Sequence, residues 1–145
     1  MSDTTPPNDQ LSGVTPHITI RGGSKDESMA EKAIAFYQQA FGAEPLYRDH
    51  EQGGKRLMYA HLKILGGGLM LNDEFPEFMG GETMAAPSGA TLHLQVPDAD
   101  AAWQRALDAG AEVRFPIDNQ FWGARYGQLT DPFGFIWSIG GPVKE

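Results

Sequence analysis

The chain has 145 residues, 41% of them hydrophobic, enough for one packed core and more than a disordered chain carries. A formal net charge of −8 argues against nucleic acid and anionic membrane surfaces as partners, since phosphates call for clustered Lys and Arg. The lack of any cysteine excludes disulfides, thiolate nucleophiles and cysteine metal sites.

Residues 1–13 read as a loose tail, with Pro6, Pro7, Asn8 and Asp9 and little apolar content after Met1. The start has neither the basic cluster nor the apolar run of a signal peptide, and no window is long enough to span a membrane. A cytoplasmic protein is therefore expected. Residues 14–145 are expected to form a single domain with a first module over 14–74, a linker over 75–89 and a second module over 90–141.

In chain order, Pro16-His17-Ile18-Thr19-Ile20 alternates polar and apolar residues as a half-buried strand does. Ala33, Tyr37, Ala40 and Phe41 then share one face of a helix that Gly42 closes. Three strand-like stretches follow at 45–50, 56–65 and 69–72, the last two joined at Gly66-Gly67-Gly68. The same order returns in the second half. Leu92-His93-Leu94-Gln95-Val96 alternates, and Trp103, Ala106, Leu107 and Gly110 mark a helix that Asp98 or Asp100 caps. Stretches 113–117, 125–130 and 135–139 complete it, the last two joined by Asp131-Pro132-Phe133-Gly134, which suits a type I turn.

The chain is thus a duplicated β-α-β-β-β unit, in which His17 matches His93 and Gly42-Ala43-Glu44 matches Gly110-Ala111-Glu112. The offset between the copies shortens before the helix ends, which places an insertion in the surface connection over 21–29.

Alternation divides each strand into two faces. Ile18, Ile20, Met58, Ala60, Leu62, Ile64, Leu92, Leu94 and Val96 are expected in the core. Thr15, His17, Thr19, Tyr59, His61, Lys63, Thr91, His93 and Gln95 fall opposite. That polar face is either a wet surface or, with Tyr59, Phe121, Trp122 and Tyr126 beside it, the lining of a small-molecule pocket. Phe121-Trp122 either stacks on a planar or cationic ligand or packs a corner of the sheet. Arg125 is a candidate for an anionic group of the ligand. The linker holds Phe75, Phe78, Met79 and Met84, suited to covering a pocket or meeting a partner subunit, and Glu74, Glu77 and Glu82, expected as solvated charges.

Four stretches carry a resemblance: Ala35-Phe36-Tyr37-Gln38-Gln39-Ala40-Phe41-Gly42-Ala43-Glu44, Leu69-Met70-Leu71-Asn72-Asp73-Glu74-Phe75-Pro76, Asp118-Asn119-Gln120-Phe121-Trp122-Gly123-Ala124-Arg125-Tyr126-Gly127-Gln128-Leu129 and Asp131-Pro132-Phe133-Gly134-Phe135-Ile136-Trp137-Ser138-Ile139. In these the chain resembles the glyoxalase/bleomycin-resistance/dioxygenase (vicinal oxygen chelate) superfamily, and within it the PhnB-like branch. The resemblance implies an α+β fold of paired βαβββ modules forming an open mixed β-barrel or cup, often dimeric, with a ligand inside.

Metal-dependent members hold a divalent ion at four positions, which carry over here as Thr15, Thr91, Ser138 and Met70. None is a competent ligand, so no metal cofactor is expected. The alternative is a displaced site for Zn, Fe, Mn or Ni built on His17 and His93, joined by His61, Asp73 or Glu74. Two functions remain open on these residues. One is a metal-free protein that sequesters or carries a ligand against His17, Tyr59, His61, His93, Phe121, Trp122, Arg125 and Tyr126. The other is a metal-dependent lyase, isomerase or dioxygenase using His17 and His93. A homodimer is expected in either case.

Overall fold

The computed structural model describes residues 13–145, so the tail expected over 1–13 lies, Gly13 apart, outside the described residues. The chain divides into two compact units, one running to Gln38 and then over Gly42–Ala85, the other combining Gln39–Phe41 with Ala86–Glu145. Each carries one four-stranded mixed sheet, and the fold is α+β with two βαβββ modules. No helix among the described residues is long and apolar enough to cross a membrane.

Module one runs β1 (His17–Ile20), α1 (Met29–Phe41), β2 (Glu44–His50), β3 (Leu57–Ile64) and β4 (Gly67–Asp73), in sheet order β1-β4-β3-β2. The β1–β4 pair is parallel and the rest antiparallel. Ser28 starts α1 in an extended conformation, its Oγ accepting from the Glu31 N–H at 3.0 Å, and Gly42 ends it at φ 70°. Ala33, Tyr37, Ala40 and Phe41 are buried as the helical spacing predicts.

Two strand details differ from the sequence reading. Asp49 pairs with Tyr59 but His50 pairs with Leu57, so Met58 bulges out, 53% exposed, and Leu57 takes the core position instead. The β3–β4 turn is Leu65-Gly66 rather than the triple glycine. Both turn residues have positive φ (50° and 85°), the two-residue geometry that matches strand twist, and Gly67 already pairs with Ile64.

Asp73 ends β4 fully buried, accepting from Ser28 Oγ (2.5 Å), the Ala30 N–H (2.9 Å) and the Leu57 N–H (2.7 Å). One carboxylate thereby ties the start of α1 and the start of β3 to the end of β4. The linker is fastened in the same way, against the expectation of solvated charges. Arg56 is buried with Glu51 and Glu77 on its guanidinium and Phe75 stacked 4.2 Å away. Those two carboxylates hold Arg56 charged beyond its ordinary range, and it in turn lowers theirs. Glu74 is also buried, accepting from the Thr83 hydroxyl at 2.8 Å and from the Met84 N–H. Glu82, Phe78 and Met79 are exposed.

Module two runs β5 (Thr91–Gln95), α2 (Ala99–Ala109), β6 (Glu112–Asn119), β7 (Arg125–Thr130) and β8 (Ile136–Gly141), in sheet order β5-β8-β7-β6. Asp98 caps α2 by accepting from the Ala101 N–H at 3.1 Å, and Gly110 ends it at φ 119°. Trp103 of α2 lies so close to β7 that a Cβ on Gly127 would stand 2.7 Å from its ring. β6 is an edge strand, which is why Pro116 is tolerated inside it. The expected turn at Asp131 forms, with the Gly134 N–H bonding the Asp131 carbonyl at 3.1 Å. The buried Asp131 carboxylate accepts from the Phe133 and Phe135 N–H groups and from Trp137 Nε1–H, fixing the turn and the indole together.

Candidate functional site

The two sheets share a register. Across module one, His17 of β1, Met70 of β4, His61 of β3 and Tyr47 of β2 lie in one row. Across module two the matching row is His93, Ser138, Gln128 and Phe115. Parity puts both rows on the sheet face opposite the buried Leu and Ile residues, where the alternation of the sequence places them.

In module two the row and its neighbours form a polar and aromatic network. His93 Nδ1 lies 2.7 Å from Ser138 Oγ, and its Nε2 lies 2.8 Å from Gln95 Oε1. The Gln95 oxygen can only accept, so Nε2 carries the proton and Nδ1 accepts from the Ser138 hydroxyl. The ring lies flat across β8 because Gly140 offers no side chain: a Cβ there would stand 2.8 Å from His93 Cε1. Beside it Gln128 donates to Tyr126 Oη at 3.0 Å and accepts from Arg114 at 2.7 Å. Tyr126 in turn lies within 6.1 Å of His93, 6.5 Å of Phe115 and 5.5 Å of Trp122, ring centre to ring centre. Trp122 is 53% exposed, and Phe121, at the tip of the β6–β7 hairpin, is 97% exposed, edge-on to Trp122. The packed-corner reading of Phe121-Trp122 therefore fails for Phe121, whose ring stands in solvent.

Module one is arranged differently. Asn72 Oδ1 accepts from Thr19 Oγ1 at 2.8 Å and from His17 Nε2 at 3.2 Å, so the Asn amide orients the imidazole. Tyr47 and Tyr59 pack at 5.5 Å, and burial, with Tyr47 adding to it, pushes the Tyr59 phenol above its ordinary range. His61 is 1% exposed and its Nδ1 has no hydrogen-bond partner; burial holds the imidazole below its ordinary pKa and so neutral.

Arg125 is directed elsewhere. Its guanidinium binds Asp100 at 2.9 Å and approaches Asp118 at 3.5 Å, joining the first turn of α2 to β6 and β7. Asp100 is lowered below the usual carboxylate range by Arg125 first, and Lys144 adds to this. Arg125 is a clamp between elements and not an open anion receptor.

The carried-over metal positions supply hydroxyls from Thr15, Thr91 and Ser138 and a thioether from Met70, a donor set that does not fit a hard or borderline divalent ion. Asp73, a possible carboxylate ligand by sequence, has its oxygens filled by three internal donors. Among the described residues no group of three or more His, Asp or Glu side chains is placed to hold a metal ion.

Sequence reasoning did not single out Asn72, Arg114, Gln128 or Gly140. Alternation along β4 and β7 would have placed Asn72 and Gln128 on the polar face. Arg114 sits beside a register shift in β6 and has no such signal.

Comparison with known proteins agrees with this architecture. The family model described as "Glyoxalase/Bleomycin resistance protein/Dioxygenase superfamily" matches residues 27–139. The uncharacterized protein Mb0911c of Mycobacterium bovis is 44% identical over 136 residues, covering 91% of this chain and 84% of that protein. Among solved structures, PA1353 from Pseudomonas aeruginosa superposes with a TM-score of 0.70 at 22% identity, over 92% of this chain and all of that one. The PhnB protein of Bacillus cereus does so with a TM-score of 0.67 at 17% identity, over 90% and 99%.

Proposed function

The chain belongs to the glyoxalase/bleomycin resistance protein/dioxygenase superfamily, and from that premise we propose that it is a small-molecule-binding member working without the family's divalent metal. The ligand class is planar, aromatic or cationic, held against the polar face of module two.

One observation carries this reading. His93, Phe115, Trp122 and Tyr126 gather on one face, where His93 is already bonded to Ser138 and Gln95 and Tyr126 to Gln128. Such a face binds by stacking and cation–π attraction and asks little of its own hydrogen-bonding groups. The net charge of −8 favours a cation on approach. His93, whose two ring nitrogens are engaged by Ser138 and Gln95, would have to break a bond to ligate a metal.

The test uses 9-aminoacridine, a planar cation, followed by fluorescence anisotropy. Saturable binding that leaves the probe chemically unchanged, and weakens about ten-fold in Trp122→Ala and in Tyr126→Ala, is the expected result. Chemical conversion of bound ligand would overturn the binding reading. So would near-stoichiometric Zn, Fe, Mn or Ni in protein purified without a tag or chelator, lost in the His17→Ala/His93→Ala double variant.

A further inference from the structure

We propose that the ligand of the module-two face carries a hydrogen-bond acceptor on the edge of its ring, read by the Tyr126 hydroxyl, and that Arg114 sets this preference through Gln128. The inference rests on the binding reading above. It narrows the ligand class to planar rings bearing a carbonyl, an unprotonated ring nitrogen or a similar acceptor.

Arg114 gives the network its direction. A guanidinium has donors only, so the Gln128 atom 2.7 Å from Arg114 Nη1 is the amide oxygen. The amide nitrogen then faces Tyr126 Oη at 3.0 Å and donates to it. An amide without such a neighbour can turn over and exchange its two ends, and Arg114 removes that choice.

Tyr126 is thereby left with its proton unspent. A phenol hydrogen lies in the ring plane on one side of the oxygen, and Gln128 occupies the other side. Among the described residues the Tyr126 hydroxyl donates to nothing, and the side chain is only half-buried. The imidazole beside it has nothing to spare, since Ser138 donates to His93 Nδ1 and His93 Nε2–H donates to Gln95. A ligand acceptor gains the Tyr126 hydrogen directly. A ligand donor has to share the oxygen with Gln128.

Ring geometry decides which aromatic carries the stack. The O–H bond lies in the Tyr126 plane, so a ring stacked flat on Tyr126 is out of its reach. Trp122 stands at 71° to Tyr126 with ring centres 5.5 Å apart. A ring stacked on Trp122 is therefore steeply inclined to the phenol and brings an edge atom towards the hydroxyl. Trp122 supplies the stacking and Tyr126 the selection.

The test compares N-methyl-2,6-naphthyridinium with N-methylisoquinolinium, planar cations of one shape and charge that differ in a ring nitrogen replacing a C–H. Affinities for the full chain are read by titration at the Trp122 indole N–H in ¹H–¹⁵N spectra. The naphthyridinium is expected to bind about five-fold tighter, the worth of one neutral hydrogen bond. Tyr126→Phe keeps the ring and brings the ratio to about one. Arg114→Met does the same, because Gln128 then turns and takes the Tyr126 hydrogen itself. A general change in attraction moves both cations alike and cancels in the ratio, so a merely structural Arg114 would leave the ratio unchanged. Equal affinities for the native chain overturn the proposal while leaving the binding reading standing, and so does a ratio that survives either substitution. Failure of both cations to bind overturns the two together. Arg114 is exposed and Tyr126→Phe loses no carbon, so neither comparison depends on a variant that fails to fold.

Discussion

The two modules repeat one backbone plan and solve its polar problems in opposite ways. Each places a histidine at the start of the row on its polar face, yet module one orients His17 with the Asn72 amide, whereas module two orients His93 with Ser138 and Gln95 and makes room for it at Gly140, the register counterpart of Asn72. Each also buries one aspartate with three donors. Asp73 gathers donors from distant stretches of chain, while Asp131 accepts from Phe133, Phe135 and Trp137, within the next six residues. Duplication preserved the scaffold, and the side chains on it diverged toward a bonded network in one copy and a buried, unpartnered nitrogen in the other.

The sharpest way to break this comparison is to remove the two aspartates. Asp73→Ala strands three donors, two at the start of α1 and one at the start of β3, and a loss of about 3–5 kcal/mol is expected in denaturant unfolding. Asp131→Ala strands as many, but its turn also keeps the Gly134–Asp131 backbone bond, and a smaller loss of about 2–3 kcal/mol is expected. Equal losses would show that long-range tying adds nothing.

Next in size is Gly140→Ala. The added Cβ overlaps His93, so the ring must leave its bonds to Ser138 and Gln95, at a cost of about 1–3 kcal/mol by thermal unfolding. Its signature is a changed His93 tautomer in ring ¹⁵N spectra; an unmoved His93 would refute the role of Gly140. A milder test of the network is Tyr126→Phe, which removes the hydroxyl that Gln128 reaches and is expected to cost about 1 kcal/mol.

The smallest effect concerns pH. Burial lowers the His61 pKa in the folded chain, so between that value and the ordinary one of about 6.5 the unfolded chain binds more protons. Stability therefore falls as pH drops from about 6.5 toward the folded value. His61→Gln, the residue module two uses, loses that component of the slope, which urea unfolding across this range would reveal. An unchanged slope would mean that His61 is not kept neutral by burial.

Much of the fold was legible beforehand because its signals are local. Gly42 and Gly110 end their helices in left-handed conformations, Asp98 caps the second, and the Asp131 turn forms where Asp-Pro-x-Gly stands. The misreadings lie where pairing with a neighbouring strand overrode the local pattern. Met58 alternates correctly with Ala60 and Leu62, but a bulge against β2 turns it outward. Glu74 and Glu77 look like loop charges until Thr83, Met84 and Arg56 are brought to them.

The candidate site divides along the same line. Period-two alternation by itself put His17, His61, His93 and Tyr59 on a common kind of face, and the duplication by itself matched His17 to His93. Only the folded chain decided that Arg125 spends its charge on Asp100, that Gln128 bonds Tyr126 and Arg114, and that His61 Nδ1 bonds nothing. The reason is geometric: a strand's own sequence names the face of each residue, but which side chains meet across that face depends on register, and register is set by bulges and turns that involve two strands at once.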